Sequence, residues 1–224
     1  EIYTLSLHDA LPICSQRVLW LLEELGVPYE IVRYQRQPDM RAPKELRAIH
    51  PLGKSPVVTD NGNTIAESGA ILEYIIATYG NGRLIPPADT PERLRYTYWL
   101  HYAEGSAMTP LLLKLLFTLM PKRAPALLRP LVRKVSNTAL STLVNPQLKQ
   151  HMAYWEGELG KSEWFAGNDF SGADIQMSFP LEAAAARGGL EDGHPRCVAF
   201  LERIHARPAY ARALEKGGPY EVGR

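Results

Sequence analysis

Cysteine is scarce in this chain: two residues, Cys14 and Cys197, among 224. Two thiols cannot build the framework of bridges that stiffens a secreted domain, so a reducing compartment, the cytoplasm, is expected. An excess of either charge is also missing, with 25 basic residues against 24 acidic ones. That excludes a dedicated nucleic-acid binder, which carries a basic stripe. Long apolar runs are absent too. The longest, Leu111 to Met120, is about ten residues and contains Lys114, too short for a membrane span. It can seat on a membrane surface, but core or dimer surface is the preferred reading. Internal repeats and low-complexity tracts are lacking, and residues 1–13 hold no basic segment of a secretory signal. His101, His151 and His205 are scattered without metal-ligand spacing, so no metal is expected. What the chain does have is apolar residues, 46% of the total. Its length fits one large domain or two small ones, with a sizeable core.

Strand signals are confined to the first third. Residues 1–7 alternate as a strand does. Ser15 is placed to cap a helix that runs to Leu25, with Gly26 as its stop. Tyr29 to Tyr34 reads as a second strand, completing a β-α-β unit that implies parallel pairing. A short helix follows over 43–49. Then come the β-branched Val57, Val58 and Thr59, a hairpin signal at Asp60-Asn61-Gly62-Asn63, and a return strand at Thr64-Ile65. A helix opens on Glu67-Ser68 and ends near Tyr79-Gly80. The start of that helix offers free backbone N–H groups and a hydroxyl to an anion, beside the carboxylate of Glu67. Both charge preferences within two residues suit a zwitterionic amino-acid head group. The bland alternative is a cap, Ser68, next to a first-turn acid.

Beyond a linker at 81–89 the pattern is helical. Thr90-Pro91 and Asn145-Pro146 each read as a cap followed by proline at the first helical position. Pro110 is expected to kink or restart its helix. Ser171-Gly-Ala-Asp174 is a capping box opening a markedly apolar helix, expected at the centre of the second domain. Two closing helices follow, 194–205 and 208–216.

A small β-α-β-α-β-β-α unit followed by helices alone is a distinctive order, and four motifs accompany it. They are Ser15-Gln-Arg-Val-Leu-Trp-Leu-Leu-Glu-Glu-Leu-Gly26, His50-Pro-Leu-Gly-Lys-Ser-Pro56, Ala66-Glu-Ser-Gly-Ala70 and Ser171-Gly-Ala-Asp174. In this order they make the chain similar to the glutathione transferase superfamily. The resemblance is strongest to a bacterial and fungal branch carrying Ser171-Gly-Ala-Asp-Ile175 and Met177-Ser-Phe-Pro180. It implies an α/β thioredoxin-like, glutathione-binding N-terminal domain, residues 1–82, followed by an all-α C-terminal domain, residues 90–216.

The resemblance also implies roles. Glu67 and Ser68 would take the γ-glutamyl end of glutathione. Pro56 would be cis, turning the backbone of Ser55 toward the cysteinyl part. Lys54 or His50 would meet the glycyl carboxylate, although each reads equally well as a solvated loop charge. Tyr102 would line the electrophile pocket, unless it is core. The thiol needs a donor at the start of the first helix. In the related branch a Ser serves there, two positions before the equivalent of Ser15; here Ile13 stands in its place and Cys14 in that of an Arg. Three donors remain: Ser15, which reads equally as a cap; Cys14, through a mixed disulfide; and Tyr3. Residues 1–13 resemble nothing in the family's first strand and are expected to be foreign to it.

The implied function is conjugation of glutathione, the co-substrate, to a small hydrophobic electrophile, with peroxidase activity a companion. A non-catalytic glutathione- or partner-binding scaffold and a Cys14-dependent thiol-disulfide transferase are the alternatives. A homodimer is expected.

Overall fold

The computed structural model describes residues 5–10, 12–35, 42–191, 193–218 and 220; of Pro12, Ile13 and Cys14 it describes the backbone alone. Four strands form one mixed sheet in the order β2-β1-β3-β4. Strand β1 (Leu5–Asp9) is central. It pairs parallel with β2 (Tyr29–Arg33), from Leu5↔Tyr29 to Asp9↔Arg33. On its other side it pairs antiparallel with β3 (Val57–Asp60), with His8 opposite Val57. The segment expected to be foreign thus supplies the central strand through residues 5–9. Strand β4 (Asn63–Ala66) closes the hairpin with β3. Its turn needs positive φ at two successive residues, and Asn61 (48°) and Gly62 (78°) supply it.

Helix α1 (Pro12–Leu25) makes the right-handed crossover between the parallel strands. It begins four residues earlier than a helix capped by Ser15 would. Proline is tolerated in a first turn, so Pro12 opens the helix and Ser15 lies inside it rather than at its cap. Val18, Leu19, Leu21 and Leu22 are fully buried against the sheet and its neighbours. Helices α2 (Lys44–Ile49) and α3 (Ser68–Tyr79) complete this part.

The remainder of the described chain is helical: α4 (Pro91–Tyr102), α5 (Met108–Arg123), α6 (Arg129–Ala139), α7 (Asn145–Glu158), α8 (Gly172–Gly188), α9 (Pro195–His205) and α10 (Pro208–Gly217). Thr90 caps α4 as expected, its hydroxyl accepting from Arg93 N–H at 3.2 Å. Two expected breaks take the form of π turns. At Pro110 the α-helix is interrupted rather than ended: a π-helical turn, Ala103–Ala107, joins α4 to α5, which resumes at Met108 just ahead of the proline that has no N–H to donate. A second π turn, Leu140–Val144, carries α6 into α7, so Val144 is helical and Asn145-Pro146 caps nothing. The result is a hairpin of two long rods, 91–123 and 129–158.

Helix α8 is the axis of the helical part, with every residue from Gly172 to Ala184 buried. Its start holds because Asp174 accepts from Ser171 N–H (2.9 Å) and from Phe165 N–H (2.8 Å). The sheet-bearing and helical parts share one apolar core. Helix α10 lies on α1, where Trp20 meets Tyr210 edge to face and Glu23 and Glu24 pair with Arg212, Lys216 and Arg207.

Candidate active-site cleft

The β1–β3 register places Pro56, one residue before β3, beside the end of β1 where the chain turns into α1. The Ser55–Pro56 peptide bond is cis. Upstream, Gly53 (φ 56°) must be glycine, because an added Cβ would stand 2.6 Å from Ala42 Cβ and 2.8 Å from Arg47 Cγ. On the other side of the cleft β4 ends, and Glu67 turns the chain into α3 with φ 71° and ψ 122°. A non-glycine residue at positive φ is costly and is held only where the surroundings fix it; such positions gather at ligand sites. Here the turn aims the first amides of α3, and the exposed Glu67 carboxylate, into the same space.

That space is a cavity of about 170 Å³ lined by His50, Lys54, Ser55, Pro56, Glu67 and Ser68 from the first part, with Arg17 of α1 and Glu104 of the π turn. Six residues chosen from the sequence meet there. Three lining side chains carry buried polar atoms with no hydrogen-bond partner among the described residues: His50 Nδ1, Ser55 Oγ and Arg17 Nε. Buried polar groups are normally satisfied, so these three atoms are exceptions in the wall of the cavity, each itself closed to solvent.

Behind the cavity lies a polar knot. Arg17, with 3% of its side chain exposed, donates from Nη1 to Glu104 Oε1 at 2.6 Å. The same nitrogen donates to the Gln176 carbonyl at 3.3 Å. Gln176 Nε2, from the middle of α8, donates to Ser68 Oγ (3.2 Å) and to Glu104 Oε1 (3.3 Å). The Ser68 hydroxyl reaches the same oxygen at 3.4 Å. The knot ties the start of α3 to both the first helix and the helical part.

Two family models match the chain. The glutathione S-transferase N-terminal domain covers residues 4–77, and the glutathione S-transferase C-terminal domain covers residues 119–208. The chain belongs to the glutathione S-transferase family. Among curated relatives, glutathione S-transferase 3 of Schizosaccharomyces pombe is 35% identical, across 94% of this chain and 86% of the relative. Glutathione S-transferase 1 of Saccharomyces cerevisiae is 33% identical across 89% of each. Among solved structures, a glutathione S-transferase of Actinobacillus pleuropneumoniae superposes with a TM-score of 0.77 at 31% identity, covering 99% of this chain and 96% of that one. A sphingomonad glutathione S-transferase solved with glutathione gives 0.73 at 26% identity, covering 95% and 98%.

Within this family fold, two residues chosen from the sequence lie elsewhere. Ser15 is fully buried, its hydroxyl donates to Asp9 Oδ1 at 2.7 Å, and it does not line the cavity. A helix that starts at Pro12 puts residue 15 inside it, which overturns its cap role. Tyr102 also turns away. Its ring packs among Tyr98, Trp99 and Tyr154, and its hydroxyl accepts from Trp155 Nε1 at 3.2 Å and donates to His151 Nδ1. Burial there pushes its pKa up to about 12. It is a core aromatic of the α4–α7 interface, because residue 102 points to α7 while residue 104, two positions on in the π turn, points to the cleft. The Cys14 side chain and Tyr3 lie outside the described residues. Asp174, read as structural, is so: it is fully buried, and burial raises its carboxyl to about 6.

Arg17 and Gln176 were absent from the residues chosen for the site. Arg17 sits inside the first motif, and Gln176 is one of several buried polar residues of α8, with Asp174, Ser178 and Glu182, so nothing in the sequence singled it out. A second cavity, about 480 Å³, opens between the linker at Leu84–Pro87 and Ala166–Ser171. None of the residues chosen from the sequence lines it. The described residues hold no group of side chains suited to a metal.

Proposed function

We propose that the protein is a glutathione transferase in which the cavity beside Ser68 seats the γ-glutamyl head of glutathione, and that the peptide then runs along Ser55 with its glycyl carboxylate toward His50 and Lys54. The observation that carries this reading is the positive-φ turn at Glu67, which brings the start of α3 and the exposed Glu67 carboxylate onto the same small cavity as Ser55 and Pro56. An α-carboxylate takes the amides and the Ser68 hydroxyl; an α-amino group takes Glu67. Ser55 offers its backbone to the cysteinyl unit.

The thiol that glutathione brings must be held as thiolate at neutral pH. The Ser15 hydroxyl is engaged with Asp9, so the stabilising field comes from α1 itself. Its first turn, brought beside Pro56 by the β1–β3 register, has amides without helical partners, and Arg17 adds a buried cation one turn on. The acceptor class that suits such a thiolate is a small hydrophobic electrophile, or an organic hydroperoxide.

The decisive test is retention on immobilised glutathione followed by turnover of a chlorinated aromatic acceptor. The expected result is retention that is lost in Glu67→Ala and Ser68→Ala, with measurable conjugation. No retention by the intact chain overturns the reading. Retention without turnover supports the second reading, a binding scaffold, which the engagement of Ser15 with Asp9 favours. Disulfide reduction lost in Cys14→Ala would assign a thiol-disulfide transferase instead. The protein is proposed to work in the cytoplasm, where glutathione is reduced, as a homodimer through the exposed Leu94 and Tyr98 on α4 and Leu52 of the first part.

A further inference from the structure

Charge is unevenly spread along the chain although its total nearly cancels. From residue 105 to residue 155 there is no acidic residue and there are seven basic ones, leaving 18 basic against 24 acidic elsewhere. This acid-free stretch is the hairpin of two long rods. Its tip, Ala124-Pro-Ala-Leu-Leu128, is wholly apolar and is bracketed by Lys122-Arg123 and Arg129. Leu127 is 91% exposed and Leu128 49%. The apolar surface continues along both arms. Leu112, Leu116 and Met120 are exposed at four-residue spacing on α5, and Leu131 and Val135 at the same spacing on α6. The sequence expectation that Leu111 to Met120 is core or dimer surface holds for Leu111 as core; the rest of the run is exposed or half-buried.

The geometry points to the α5–α6 tip as a docking element for an anionic lipid surface. Three features select that occupant. The tip is apolar and exposed, and a bilayer admits exposed apolar side chains without a shaped partner surface. Its collar is cationic with no acid nearby, which complements lipid phosphates and serine carboxylates, as on a cytoplasmic leaflet. It also stands at the far end of the rod 91–123, about 50 Å along the helix from Pro91 at the usual rise per residue, so it stays free in a dimer built on Leu94 and Tyr98. No described helix is long and apolar enough to cross a membrane, which leaves docking at the interface. The cleft opens at Ser68 and Glu104, away from the tip, so docked protein still admits glutathione.

The test is co-sedimentation of the full chain with vesicles of phosphatidylcholine containing about a quarter phosphatidylserine, with pure phosphatidylcholine vesicles alongside. Binding is expected to the mixed vesicles at low salt and to fall as salt screens the collar. The variants Leu127→Ser/Leu128→Ser and Arg123→Glu/Arg129→Glu should each lower the partition coefficient about tenfold or more, while retention on immobilised glutathione is unchanged. Retention serves here only as a check of folding; if the intact chain is not retained, its thermal transition serves instead, so failure of the glutathione reading leaves this test intact. No binding to mixed vesicles at low salt overturns the proposal, as does binding that the tip variants leave intact. Light scattering supplies the remaining arm. A dimer that the tip variants dissociate, without vesicle binding by the intact chain, assigns the tip to a contact between copies and overturns it.

Discussion

At the cleft, a guanidinium with 3% of its side chain exposed is held against Glu104 and Gln176. At the hairpin tip, a leucine stands 91% exposed between cations. Each inverts the ordinary partition of residues, in opposite senses. The buried polar group is tolerable because two elements, the π turn and α8, supply its partners. The exposed leucine has no partner in the fold, so folding gains nothing from it. The first exception is part of the structure's stability; the second lies outside it.

That contrast predicts a ranking of effects. The largest belongs to a buried polar residue with no ligand role, Asp174. Replacing it by Ala orphans the Ser171 and Phe165 amides at the head of the central helix and should cost about 3 kcal/mol in denaturant unfolding. Its pH behaviour has a definite sign. The folded carboxyl titrates at about 6, above the ordinary 3.8, so the folded chain keeps a proton that the unfolded chain loses first. The corresponding stability is present below pH 3.8 and lost as pH rises toward 6, by roughly 3 kcal/mol. Unfolding between pH 4 and 6 should show this fall, and Asp174→Asn should flatten it.

Next comes Glu104→Ala, which strands the Arg17 charge in the knot. Half the glutamate is open to water, so the loss is expected near 2 kcal/mol, below the figure for a fully buried pair. Arg17→Met added to it should restore most of the stability but not glutathione retention. If Glu104→Ala leaves unfolding unchanged, the knot is no part of the framework and the contrast with the tip fails. Smaller still, about tenfold or more in retention strength with the unfolding midpoint held, is Glu67→Ala, which removes a ligand contact from an exposed side chain. Smallest is Leu127→Ser at the tip, expected within about 0.5 kcal/mol of the parent in the same unfolding measurement. A larger loss would mean that the tip packs on something within the fold.

Much of this was legible in the sequence because it was local. The Asn61-Gly62 turn, the Thr90 cap, the Ser171–Asp174 box, the Ser55–Pro56 bend and the Glu67–Ser68 mouth each depend on residues a few positions apart. The order of strands and helices then fixed the fold class. Reading failed where a short pattern met a long-range requirement. Asn145-Pro146 has the form of a cap, yet the chain arrives already helical through a π turn. Ser15 has the form of a cap, yet a helix opened by Pro12 carries it to Asp9. Tyr102 and Glu104 are near neighbours in sequence, and the π turn sends one to α7 and the other to the cleft.

The sequence by itself therefore determined the sheet-then-helix architecture, the half of the cleft built from one continuous stretch, 50–68, and the absence of acid from 105–155. Only the tertiary structure decided the other half. Arg17, Glu104 and Gln176 come from three distant helices and acquire a common purpose by packing around one serine, because a buried charge must find its partners wherever the fold brings them. It also decided which leucines of an apolar run stay outside, since exposure depends on whether a neighbouring element arrives to cover them.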